Sequence, residues 1–104
     1  PDRIEPAVSV LLPFNPFTSV SPGSSSITVT EPGNSRTTGD VVRFRSCEAF
    51  DGFTQAVLQS SSGYAITVVD SNSYTFSATG ETASSGSVQG GGGTASSGPV
   101  TLES

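Results

Sequence analysis

Few side chains in this chain could do chemistry, and their spacing limits what that chemistry would be. Asp40, Glu48, Asp51 and Asp70 supply carboxylates in its central stretch, and a pair of carboxylates flanking a bond is what glycoside hydrolysis requires. Three of these four stand in turn sequences (Gly39-Asp40, Asp51-Gly52 and Asp70-Ser71-Asn72), where Asp is favoured because its side chain bonds the local backbone. The turn role outweighs a catalytic pair. Asp70-Ser71-Asn72 holds only a fragment of the alternating oxygen ligands of a calcium loop. The run Gly90 to Gly93 lacks the Lys-Ser/Thr ending and the following helix of a phosphate loop. The chain has no His, which removes His-dependent triads, zinc sites of the usual kind and a His acid–base pair. Its one cysteine, Cys47, cannot close an internal disulfide and has no His to activate it, so it reads as a small buried hydrophobe. No metal, no cofactor and no enzymatic activity are expected.

The formal net charge is -5, with Arg3, Arg36, Arg43 and Arg45 as the only basic residues. Neutralising phosphates needs a basic patch. Arg36, Arg43 and Arg45 could form a small one, but the acidic total and the lack of interleaved aromatics favour solvated strand-face charges. A nucleic-acid partner is therefore not expected. Nor is a membrane, because no apolar run approaches the length of a span and no signal peptide is visible. The opening Pro1-Asp2-Arg3 reads as a start left by removal of an initiator Met, which implies synthesis in a reducing cytoplasm.

The elements that must position these residues are strands. Hydrophobic residues make up 33% of the chain and charged residues 12%, both below globular averages. Gly, Ser and Thr fill the deficit, so the core is thin and its stability is expected to depend partly on neighbours. Ile27 and Val29 alternate with Thr28 and Thr30, and Val42 and Phe44 with Val41, Arg43 and Arg45, the period of half-buried strands. Turn signals punctuate them at Ser21-Pro22-Gly23-Ser24, Glu31-Pro32-Gly33-Asn34 and Gly39-Asp40. Phe50 and Phe53 flank Asp51-Gly52 and are expected to cap one end of the core. Gln55 to Gln59 reads equally as a short strand or a helical turn. Tyr64 to Val69 reads as the strongest strand. It turns back through Asp70-Ser71-Asn72, where Asp or Asn can take a positive φ, into Ser73 to Ser77 with Tyr74 and Phe76 inward.

The flanks differ. In residues 1–20, Val8, Val10, Leu12 and Phe14 alternate with Ser9, Leu11 and Pro13, and Pro6, Pro13 and Pro16 leave only an extended or edge conformation. Such an arm either packs across its own domain or lies on a neighbouring subunit. From Ala78 on, Gly80, Gly86, Gly90 to Gly93 and Gly98 are spaced by Ser, Thr and Ala. That composition reads as a flexible or extended arm, and Gly also permits close backbone approach to another surface. Val100 and Leu102 alternate at its end as if a last strand docks.

Residues 25–77 resemble a small β module of tailed-bacteriophage structural proteins, labelled after the first catalytic cysteine half-domain (FCCH) of ubiquitin-activating enzymes. The resemblance lies in Ile27 and Val29, Pro32-Gly33-Asn34, Gly39-Asp40, Val41 to Phe44, and Val68-Val69-Asp70-Ser71-Asn72-Ser73-Tyr74-Thr75-Phe76. Leu12 to Phe17 also resembles the lead-in of such proteins. Asn34 stands where the family's loop often has His, so a role tied to that His does not carry over. The resemblance implies a compact all-β barrel-like fold and a place in a virion, and it implies no ubiquitin chemistry.

Together these readings predict an all-β chain, a small antiparallel β-barrel or sandwich spanning 21–79. An apolar Pro-rich arm would occupy 1–20 and a Gly/Ser-rich arm 80–104. The expected role is a non-enzymatic virion protein of a tailed phage, a capsid decoration (cement) protein or a head–tail or tail accessory subunit. It would be made in the host cytoplasm and bind major capsid, portal, adaptor or tail subunits and copies of itself. Val8, Val10, Leu12, Phe14 and Phe17 are the expected contacts of the first arm, and Val100 and Leu102 those of the second. On that reading, deleting residues 1–17 abolishes particle binding and leaves the core folded. The alternative is a host-surface glycan-binding or receptor-binding module of a tail fibre, for which Tyr64, Tyr74 and Asp70 are the cluster on offer.

Overall fold

In a computed structural model, which describes residues 10–98, the alternation of apolar and hydroxyl-bearing residues sets the central strands as expected. Strand β3 (Ser26–Thr30) buries Ile27 and Val29, and β7 (Ser73–Ser77) buries Tyr74 and Phe76. The two pair antiparallel with Ile27 opposite Phe76 and Val29 opposite Tyr74. Strand β4 (Val41–Arg45) turns Val42 and Phe44 inward. A slip of one residue in any of them would put hydroxyls in the core and rings in water, so the register is strongly specified. The other strands are β1 (Val10–Leu11), β2 (Phe17–Ser19), β5 (Tyr64–Ala65), β6 (Thr67–Asp70), β8 (Gln89–Gly90) and β9 (Ser96–Gly98).

These strands form two antiparallel sheets, ordered β1-β9-β4-β5 and β6-β7-β3-β2-β8. They face one another as a sandwich and do not close into a barrel. The layer between them is mostly aromatic. Phe17 of one sheet meets Phe44 of the other edge-on at 5.1 Å between ring centroids, and lies 6.1 Å from Phe50 in a stacked arrangement. Phe44 lies 4.9 Å from Phe76, and Tyr64 lies 4.6 Å from the same ring. Such ring pairs add about 0.5–1.5 kcal/mol each beyond the area they bury. A few large rings thus do the work that a chain poor in Leu and Ile cannot spread over many aliphatic side chains.

The division into an arm at 1–20, a domain at 21–79 and an arm at 80–104 does not describe residues 10–20 and 80–98. Strand β2 sits between β3 and β8, and β9 sits between β1 and β4. Without β9, the backbone groups on one side of β4 would have no partners, and buried backbone groups must be paired. The run Gly90 to Gly93 is accordingly a close-packed strap. A Cβ added to Gly90 would stand 2.3 Å from the Phe50 Cβ, one on Gly91 2.6 Å from the Phe17 ring, and one on Gly92 2.6 Å from the Glu48 Cδ. Backbone lies where a side chain would not fit, which is the close-approach use of Gly.

Two local expectations also change, and the open reading of Gln55 to Gln59 is resolved. The run from Tyr64 to Val69 is not one strand: it crosses between sheets at buried Ile66, with β5 on β4 and β6 on β7. The crossover is held by Ile66 N–H donating to the Asp40 carbonyl and Gly39 N–H donating to the Ile66 carbonyl. Residues Gln55–Leu58 are helical (α1), because Thr54 Oγ1 accepts from Val57 N–H as an N-cap. The β6–β7 hairpin turns without a positive φ at Asp70 or Asn72. Asp70 Oδ1 instead accepts from Asn72 N–H at 2.8 Å and from Ser73 Oγ at 3.1 Å, an Asx turn.

Candidate interaction surface

The polar side chains come first, because a reactive site would have to be made from them. Glu31 follows Ile27 and Val29 at the same period of two, so the strand aims it into the sandwich, where it is 4% exposed. Its Oε1 accepts from Tyr74 Oη at 2.6 Å, Ser97 Oγ at 2.8 Å and Arg36 Nε at 3.1 Å. Arg36 also donates from Nη2 to Ser97 Oγ at 2.9 Å, and its guanidinium lies 5.8 Å from the centre of the Tyr74 ring. Burial, followed by the Glu31 contact, pushes the Tyr74 phenol well above its ordinary pKa. Tyr74 and Ser97 are fully buried, so a solute cannot reach their hydroxyls. This cluster is a clamp joining β7, the end of β3 and the loop after it to β9 of the opposite sheet. Pro32-Gly33 beside Glu31 reads as a turn and draws attention from it, but its parity with Ile27 and Val29 is a sequence signal that marks it as inward.

The carboxylates weighed for catalysis hold turns. Asp40 Oδ2 accepts from Thr37 N–H at 3.0 Å. Asp51, itself at φ 45°, accepts from Ser85 N–H at 2.8 Å through Oδ1, and from Gly86 N–H at 2.9 Å and Ser19 Oγ at 2.6 Å through Oδ2. It pins the loop before β8 to β2. Glu81 accepts from the N–H and the hydroxyl of Thr54 at the start of α1. Cys47 is buried, which pushes its thiol up to about 12, and its backbone is held by Gln59 and Gln55. Among the described residues no group of His, Cys, Asp and Glu is arranged to hold a metal.

The Asp turns give the fold an acid limit. The hydrogen bond from Ser19 foremost holds the Asp51 carboxyl below its ordinary value, and that from Asn72 N–H foremost does the same for Asp70. The unfolded chain protonates these groups near the ordinary Asp value, about 3.9. The stability they contribute is therefore complete above about pH 4 and lost as pH falls from there through the lower folded values. Urea midpoints should drop between pH 5 and pH 3. Asp51→Asn should be less stable than the parent at pH 5 and show a shallower drop; an unchanged slope would remove Asp51 from this role.

One exposed stretch of the chain is apolar. Phe14 is 76% exposed, Leu11 70% and Val10 43%, all within five residues of chain at the β1 edge. Single exposed apolar residues are ordinary, whereas clusters of large ones mark interaction sites. The segment is fixed from behind: Leu12 N–H donates to the Ala95 carbonyl, Asn15 N–H to the Gly92 carbonyl, and Gly92 N–H to Asn15 Oδ1. Asn15 adopts φ 48°. A Cβ on Gly93 would come 3.3 Å from the Phe14 ring, so that ring rests beside the glycine strap with most of its surface in water.

The expected contacts thus divide. Val10 and Phe14 are exposed, but Leu12 and Phe17 are buried in this chain's own core and cannot serve a partner without unfolding it. Leu11, expected on the opposite side of the alternation, is exposed instead. The period of two fails because the chain leaves β1 after Leu11 and bends through Asn15 before β2 begins. Val8, Val100 and Leu102 lie outside the described residues. A deletion of residues 1–17 would remove Leu12 and Phe17 and so would not leave the core intact. The glycan cluster is not assembled either: Tyr74 is fully buried, and the Tyr64 hydroxyl donates to the Val57 carbonyl. Among the described residues no helix is long and apolar enough to cross a membrane. In comparison with known proteins, no family model matches the chain, and neither a curated protein nor a solved structure is similar to it.

Proposed function

We propose that the chain is a non-enzymatic structural subunit of a tailed-bacteriophage virion, a capsid decoration protein or a head–tail or tail accessory subunit. It attaches to neighbouring protein subunits through the edge that carries Val10, Leu11 and Phe14. The observation that carries the attachment is the exposure of these three large apolar side chains on a segment that is itself rigidly bonded to the sandwich. An anchored apolar edge loses little freedom on binding, so more of the contact energy remains as affinity. The virion setting is supported by the resemblance of residues 25–77 to the phage module. The absence of a catalytic role is supported by the commitment of Glu31, Asp40, Asp51, Asp70 and Glu81 to internal bonds. Neighbours would be capsid, portal, adaptor or tail subunits and copies of this chain, met after synthesis in the host cytoplasm.

The double variant Leu11→Ser/Phe14→Ser tests it. In co-sedimentation with particles of the encoding phage stripped of this protein, the parent should bind and the variant should bind about tenfold or more weakly. Stability should change by only about 0.5 kcal/mol, since both side chains lie outside the core. Equal binding by the two proteins would contradict the assignment of this edge.

A further inference from the structure

Glu48 stands apart from the other acids. Glu31, Asp40, Asp51, Asp70 and Glu81 all accept internal hydrogen bonds. Among the described residues Glu48 is the one carboxylate that accepts none and has no ion pair. Its side chain is exposed and lies on the glycine strap, where a Cβ on Gly92 would meet its Cδ at 2.6 Å. Phe14 lies on the next residue of the same strap, where a Cβ on Gly93 would come 3.3 Å from its ring. Gly92 and Gly93 therefore floor a notch with a free carboxylate at one side and an exposed ring at the other. The sides are held in place. Glu48 N–H donates to the Gly91 carbonyl at 3.0 Å, and Asn15, next to Phe14, exchanges hydrogen bonds with Gly92. Asn15 at φ 48° and Ser46 at φ 59°, two residues before Glu48, are left-handed, a strain that concentrates at binding sites. The notch lies at the Leu12–Ala95 end of the β1–β9 pair, away from Val10 and Gly98.

We infer that the notch between Phe14 and Glu48 receives an arginine side chain of a neighbouring protein subunit. The inference rests on the attachment proposed above and names the chemistry of that contact. The guanidinium forks onto the Glu48 carboxylate while its apolar stem lies along the Phe14 ring, a combination that lysine matches less well. The net charge of -5 draws a basic segment and repels an acidic one. Leu11, exposed on the same segment as Phe14, gives an apolar neighbour of the arginine something to cover. A saccharide fits less well, because it needs several free polar groups to fix it. The others at the notch are engaged: Asn15 Oδ1 accepts from Gly92 N–H, and Thr94 Oγ1 donates to the Ser46 carbonyl.

The test titrates the full chain with the capped pentapeptide Val-Leu-Arg-Leu-Val, its citrulline counterpart, which keeps the shape and loses the charge, and maltotriose, read by amide chemical shifts. The arginine peptide should bind saturably, shift Phe14, Asn15, Glu48, Gly92 and Gly93, and weaken with salt. Glu48→Gln, an exposed change, should keep the fold and weaken that binding about tenfold while leaving the citrulline peptide unaffected. The inference is overturned by no saturable binding of the arginine peptide to the parent protein, by shifts confined to another face, or by equal binding of the citrulline peptide. Unchanged affinity in Glu48→Gln, or tighter binding of maltotriose at the same amides, would overturn it as well. Failure here alongside loss of particle binding in Leu11→Ser/Phe14→Ser leaves the attachment standing and removes only the arginine.

Discussion

Phe17→Ala should be among the most damaging single changes in the chain, lowering stability by about 3–5 kcal/mol. Phe17 is fully buried and touches three rings, Phe44 at 5.1 Å and Phe50 and Phe76 each at 6.1 Å. It also backs the glycine strap, since a Cβ on Gly91 would meet its ring at 2.6 Å. Truncation therefore opens a cavity bounded by both sheets and by a segment with no side chains able to fill it. Domains of this size have about 5–15 kcal/mol in total, so the loss is a large share of what there is. Urea denaturation followed by circular dichroism measures it. A loss below about 1 kcal/mol, the size of an ordinary surface change, would mean that the N-terminal segment lies off the core as a separate arm.

Glu31→Ala should come close behind, at about 3–5 kcal/mol, the range for breaking a buried ion pair from one side. One oxygen accepts from Tyr74, Ser97 and Arg36 together. Its removal leaves a fully buried phenol and hydroxyl short of an acceptor and a largely buried guanidinium without its counter-charge. Glu31→Gln keeps an acceptor oxygen for the hydroxyls while losing the charge, so it should fall between the parent and Glu31→Ala. Amide exchange at Ser97 should accelerate in both variants, because the clamp is what holds β9 to the opposite sheet. If Glu31→Ala matched the parent in urea midpoint, the cluster would be incidental to the fold.

The parts of the fold that could be read from the residues are those where local pattern and burial agree. Ile27 and Val29, Val42 and Phe44, and Tyr74 and Phe76 alternate cleanly and face inward as they should. Turn chemistry was equally readable at Gly33 and Gly39, which both take positive φ. What could not be read depends on contacts distant in sequence. The strands β2, β8 and β9 are two or three residues long and built from Ser, Gly and Gln as much as from apolar residues. They exist because β3 offers an open edge to β2, β2 to β8 and β4 to β9, not because of their own propensity. A glycine run looks the same in composition whether it is loose or wedged against rings. The break at Ile66 was hidden because an apolar run that changes sheets has the same pattern as one that continues. At the surface, Phe14 was found by its type and spacing, whereas Leu11 was set aside by an alternation that Asn15 interrupts.

The sandwich therefore reaches further in both directions than its strongest strands, and the surface left for a partner is narrower than two whole arms. The most direct measurement is a reconstruction, at side-chain resolution, of the phage particle of which this chain is proposed to be a subunit. It should show Leu11 and Phe14 covered by a neighbouring subunit while Phe17 remains packed between Phe44 and Phe50. Leu11 and Phe14 facing solvent in the assembled particle, or Phe17 drawn out of the core onto the neighbour, would contradict it.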